Sequence, residues 1–163
     1  MGIHTQTVWR ITTRRFVDTA FSGEGARQYG GRWNRPGQSL VYTAESRSLV
    51  LLQMLVQDDP LRAHYVLIPV HVQDTVSREQ MHISALPADW RNQNERGHLQ
   101  ALGATWLRES RSCVLAVPSA VVPAEFNFLI NPVHPDFARI KLGEPELLES
   151  DLRLIRGQQP KRI

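Results

Sequence analysis

The stretch "SLVYTAESRSLVLLQMLVQDD", Ser39–Asp59, decides how the fold is read, because the hydrophobic pattern changes inside it. "SLVYTA" has the composition of a short strand. From Ser46 onward the chain offers a Ser near an N-cap, a run of good helix formers three or four turns long, and Pro60 to end it. The spacing predicts a strand passing directly into a buried helix. In "SLVLLQMLV" Gln53 is the one strongly polar side chain, and a buried amide needs hydrogen-bond partners.

Upstream, alternation in "TQTVWRI" predicts a first strand near Val8–Ile11. "FSGEGARQYGGRWNRPGQ", with five glycines and one proline in eighteen residues, is predicted to be mostly loop and turn. Downstream, "HYVLIPVHV" puts Val66, Ile68, Val70 and Val72 on one strand face, while Pro69 removes a ladder donor and points to an edge. Leu99, Leu102 and Trp106 in "NERGHLQALGATWLRES" recur at helical spacing. "SCVLAVPS" and "EFNFLINP" read as strands, and "DLRLI" as a short last one. Strands interrupted by two helices, without regular alternation, favour a single α+β domain with mixed sheets over a doubly wound fold. That domain is expected to span 1–155, followed by the basic tail "RGQQPKRI", 156–163.

Composition agrees with one globular unit. A chain of 163 residues buries roughly two-thirds of its unfolded surface, and 42% apolar with 21% charged residues excludes fibrous and disordered classes. The longest apolar run is shorter than the about 18 residues a membrane span needs. With no signal-peptide pattern in "MGIHTQTVWR", the expected location is cytoplasmic. The lone cysteine, Cys113, sits in "SCVLAV" and reads as a buried structural thiol. Net charge is +3. Its internal basic positions, Arg10, Arg14, Arg15, Arg27 and Arg32, fall in the first third, where an anion site is to be sought.

Familiar catalytic signatures are absent. "GEGARQYGG" matches neither G-x-G-x-x-G nor a phosphate loop, no G-x-S-x-G occurs, and the six histidines show no metal-binding spacing, so no metal is expected. Four residues remain open between structure and chemistry. Arg32 follows two glycines that permit close backbone approach, but a solvated Arg after a tight turn fits equally. Arg10 faces opposite to Trp9 and Ile11, toward either solvent or a cleft. Tyr42 is an ordinary strand aromatic as readily as a site residue. Ser119, between Pro118 and Pro123 in "VPSAVVP", is also a natural turn hydroxyl.

Together "WRIT", "GEGARQYGGRWN", "LVYTAES", "LPADW", "VPSAVVPAEFNFLINPVHPDF" and "DLRL" resemble the motifs of the RES domain family, toxins of RES-Xre toxin-antitoxin pairs, in the family's order from about Val8 to Leu154. The resemblance implies a fold like that of ADP-ribosyltransferase toxins, with an NAD-binding cleft between two small sheets. NAD is then a substrate and no cofactor is expected. It implies that Arg32 and Ser119 are the family arginine and serine, and that Arg10 and Tyr42 line the NAD site. Asn131 of "INPVHP" lies in a family motif, with a structural turn role of at least equal weight. The family glutamate stands eleven residues beyond the tyrosine, where this chain carries Gln53.

Cleavage of the nicotinamide–ribose bond builds positive charge on the sugar, which a carboxylate stabilises. A neutral isostere there implies an attenuated or inactive toxin, slower by about 100-fold or more. The attacking group, water or phosphate, is not legible in the residues. The resemblance also implies an Xre-type helix-turn-helix antitoxin covering the cleft, DNA contact only through that partner, and a toxin dimer in a larger complex. Two alternatives stand beside this: protein ADP-ribosylation, and a non-catalytic module binding NAD or nucleic acid through its arginines.

Overall fold

The computed structural model describes residues 4–57, 64–149 and Leu154. Its strands are β1 (Thr5–Thr13), β2 (Val41–Ala44), β3 (Tyr65–Gln73), β4 (Arg78–Gln80), β5 (Val114–Pro118), β6 (Phe126–Ile130), β7 (Lys141–Leu142) and β8 (Glu146–Leu147). The α-helices are α1 (Glu24–Tyr29), α2 (Arg47–Gln57) and α3 (Arg96–Glu109). The strands form one mixed sheet in the order β4-β5-β6-β2-β1-β3-β7, with β8 also on β3. Among the described strands only β4–β5 is parallel. The α+β class expected from the sequence is the class observed.

The sheet is nearly divided in the middle. β1 and β3 pair along nine positions, from Thr5↔Gln73 to Thr13↔Tyr65, whereas β1 meets β2 at the single pair Trp9↔Ala44. Beyond that pair the two strands diverge and leave a gap. The resemblance implies two small sheets, whereas the described strands form one sheet whose two halves are joined at one rung.

Alternation along the strands sorts the core into two layers. Val8, Val41, Val70, Val114, Phe128 and Ile130 pack on one face. On the other, α2 covers Trp9, Ala44 and Leu67 through Leu49 and Val50, and α3 covers Leu115, Val117 and Leu129 through Leu99 and Trp106. The cleft opens between α2 and α1 with the loop that follows it.

Several local expectations need correction. The Gly-rich segment contains α1, a six-residue helix between Gly23 and Gly30 that is too short to display a period. Helix α2 is not buried all round, since Leu52 is 44% and Val56 72% exposed. Strand β3 is not a bare edge. β8 pairs with Val66 and Leu67, β7 with Val70 and His71, and the break between them falls opposite Pro69, which has no N–H to give. These two-residue strands, and β4, lie below the length at which alternation is visible. Cys113 is fully buried as expected, and burial pushes its thiol up to about 12. Pro60, nearly all of "DLRLI" and the tail 156–163 lie outside the described residues.

Candidate active site

A cleft of about 720 Å³ lies between α2, α1 with the loop that follows it, and the sheet, with Arg10, Arg32, Tyr42, Gln53 and Asn127 in its wall. Each reaches it for a local reason. Arg10 leaves β1 next to the single β1–β2 rung, and its side chain fills the gap where the strands part. Nε donates to Ala20 O at 2.9 Å and Nη1 to Tyr42 O at 3.2 Å. Burial lowers its pKa to about 10. A half-buried guanidinium with only carbonyl acceptors behind it, and no carboxylate partner among the described residues, is set to receive an anion.

The loop "GGRWN" is fixed from two sides. Gly31 has no space for a side chain, because a Cβ there would stand 2.4 Å from the Tyr42 hydroxyl. That hydroxyl accepts from Trp33 N at 3.1 Å and donates to Asn34 Oδ1 at 2.7 Å, so Tyr42 anchors the loop while its ring faces the cleft. Burial, opposed by these contacts, raises its pKa to about 12. On the other side α3 approaches so closely at Gly103 that a Cβ would lie 1.8 Å from Trp33 O. Gln100, three residues earlier, donates to Gly31 O at 2.9 Å and Asn34 O at 3.1 Å.

Held in this way, Arg32 lines the cleft and donates from Nη1 to Arg91 O at 3.3 Å. Its pKa is lowered by burial first, then by the positive charges of Arg96 and Arg91. Arg91 in turn donates from Nε to Ala120 O at 2.8 Å. Three arginines thus cluster beside the cleft, and among the described residues none has a carboxylate partner. Arg91 and Arg96 were missed in the sequence, because their proximity to Arg32 arises only when α3 packs on the loop.

Gln53 projects from the covered face of α2, one turn beyond Leu49 and Val50, over the ladder position Ala44↔Asn127. Its Nε2 donates to Asn127 Oδ1 at 2.7 Å and to Ser119 Oγ at 3.1 Å. Asn127 Nδ2 returns a bond to Gln53 Oε1 at 3.0 Å. The partners this amide required are therefore Asn127, which sequence reasoning did not single out, and Ser119. Ser119 is fully buried behind Gln53, where its Oγ also accepts from Val121 N and Val122 N, each at 3.2 Å, in the manner of a turn hydroxyl.

Arg10, Arg32, Tyr42 and Gln53 are therefore brought together, with Ser119 in contact through Gln53. Asn131 is elsewhere. It is buried at the end of β6, where its Oδ1 accepts from Val133 N at 3.1 Å and its N–H donates to Cys113 O at 2.9 Å. Of the other first-third arginines, Arg27 is paired with Glu24, Arg15 lies over the Phe16 ring, and none of Arg14, Arg15 and Arg27 lines the cleft.

The described motifs have counterparts in known proteins, and residues 7–151 match the model of the RES domain. The chain belongs to the RES domain family. Among curated RES relatives, "Toxin Res" of Photorhabdus laumondii is 37% identical over 80% of this chain and 84% of its own length. "Prs ADP-ribosylating toxin" of a Sphingobium species is 37% identical over 93% of this chain and 98% of its own. "Toxin Res" of Yersinia enterocolitica is 35% identical over 80% and 86%. No helix among the described residues is long and apolar enough to cross a membrane.

Proposed function

We propose that this RES domain is the toxin of a toxin-antitoxin pair and that its cleft binds NAD and breaks the bond between nicotinamide and ribose. The observation that carries the reading is the convergence of two arginines, Arg10 and Arg32, without carboxylate partners among the described residues, on the same cleft as Gln53. Their forked donors suit a diphosphate. NAD is the substrate and no resident cofactor is involved.

In the reaction the C1′–N bond breaks, its electron pair goes to the pyridinium nitrogen, and neutral nicotinamide leaves. The sugar carbon then takes an oxygen from water, which releases a proton, or from phosphate. Positive charge on the ribose at the transition state calls for a carboxylate at position 53, and the neutral amide there makes the chain an attenuated or inactive toxin. Arg10 and Arg32 hold the diphosphate, and the Tyr42 ring confines the sugar. Ser119 acts through Gln53, whose amide it accepts. An Xre-type antitoxin would cover this cleft and carry any DNA contact, with the toxin dimeric in the larger complex.

The name of the Sphingobium relative favours a second reading in which the oxygen or nitrogen attacking C1′ belongs to a protein side chain. Both readings share the first bond cleavage. Following NAD loss and the fate of the ribosyl group, with the parent chain beside Gln53→Glu and with phosphate supplied or withheld, tests them together. Free ADP-ribose marks hydrolysis, a phosphorylated sugar marks phosphorolysis, and label retained on protein marks transfer. A glutamate variant that leaves NAD untouched in the absence of antitoxin overturns the enzymatic reading.

A further inference from the structure

We propose that Asn127 is a second ligand-reading residue of the cleft and that, with Gln53, it selects a hydrogen-bond donor, a ribose hydroxyl, at this part of the wall. The inference rests on the NAD reading for the identity of the sugar, and on the bonding of the two amides for the rest.

The two amides have four N–H hydrogens, and all four are engaged. Gln53 Nε2 gives one to Ser119 Oγ at 3.1 Å and one to Asn127 Oδ1 at 2.7 Å. Asn127 Nδ2 gives one to Thr43 O at 3.0 Å and one to Gln53 Oε1 at 3.0 Å. The orientation is dictated by chemistry. Thr43 O is a backbone carbonyl and accepts only, so the Asn127 NH2 must face it. Asn127 Oδ1 then faces Gln53 and demands the Gln53 NH2 opposite it. Reversing either amide sets two acceptors against each other.

What these amides offer the cleft is therefore the remaining lone pair on each carbonyl oxygen. Both residues stand in the cleft wall. A wall that only accepts repels phosphate and carboxylate oxygens and rewards a group with hydrogens to give. The arginines supply the complementary anion-binding part, and the cleft as a whole is patterned for a ligand with neutral hydroxyls at one place and phosphates at another. Position 127 thus contributes specificity as well as support for Gln53.

The test is a calorimetric titration of the parent chain and Asn127→Ala with NAD and with NAD analogues lacking the 2′ or the 3′ hydroxyl of the nicotinamide ribose. The parent should prefer NAD over at least one analogue by about 10-fold, the value of one hydrogen bond. In Asn127→Ala that preference should fall toward one, with affinity for the deoxygenated ligand little changed. If Asn127→Ala does not fold, Asn127→Leu serves, since it fills a similar volume and offers the ligand neither donor nor acceptor. Equal loss for NAD and analogues means that Asn127 only supports Gln53, and overturns the assignment while leaving the NAD reading intact. Absence of NAD binding by the parent overturns both.

Discussion

Replacing Gln53 by glutamate should move activity and stability in opposite directions. The substitution exchanges Nε2 for a second carboxylate oxygen without changing the length of the side chain. That oxygen would stand about 2.7 Å from Asn127 Oδ1 and 3.1 Å from Ser119 Oγ. Ser119 can accommodate it, because a hydroxyl turns and donates. Asn127 cannot, because its NH2 is committed to Thr43 O at 3.0 Å. One good hydrogen bond becomes a contact between two acceptors in a partly buried place, a loss of about 1–3 kcal/mol. For a domain of this size that lowers the melting temperature by about 2–4 °C per kcal/mol. The same change supplies the negative charge that an oxocarbenium-like transition state requires, worth about 100-fold or more in rate. Differential scanning fluorimetry and an NAD-consumption assay on the same two purified proteins measure both effects. A glutamate variant as stable as the parent would refute the argument from the amide pair. A less stable variant with no gain in NAD consumption would refute the argument from charge.

Other outcomes follow from the same geometry. Arg10→Lys keeps a positive charge but loses the fork that donates to Ala20 O and Tyr42 O, and NAD affinity by calorimetry should fall about 10- to 100-fold. Gly103→Ala drives a methyl group into Trp33 O, which is backbone and cannot swing away; urea unfolding should show a loss of about 1–3 kcal/mol, together with weaker NAD binding as the loop carrying Arg32 is displaced. Asp136, held at about 2 by Ser77 and then Arg139, gives stability that is present above the unfolded carboxylate pKa. That stability is lost as pH falls from about 4 toward about 2; urea midpoints measured across this range should drop less steeply in Asp136→Asn.

Most of the regular framework was legible in the sequence where elements are long enough to show a period. α3 appears where Leu99 and Trp106 recur, and α2 where the strand composition of "SLVYTA" gives way to a run of helix formers. Elements of two, three or six residues escaped, since β4, β7, β8 and α1 have no room for one. The wider burial expected of α2 failed for a related reason. Apolar side chains all round a helix look alike in sequence, whereas Leu52 and Val56 happen to fall on the side away from the sheet.

By itself the sequence determined the class of fold, the run of motifs that places the chain among RES domains, and the neutral side chain at position 53. These are properties of residue type, order and short-range period. Tertiary structure decided the rest of the site: the gap that admits Arg10, the gathering of Arg91 and Arg96 with Arg32, the burial of Ser119 and the orientation of the Gln53–Asn127 pair. Those partners lie far apart along the chain, 74 residues for Gln53 and Asn127. The direction of a hydrogen bond across such a distance is set by how helices and strands pack, which no local pattern encodes.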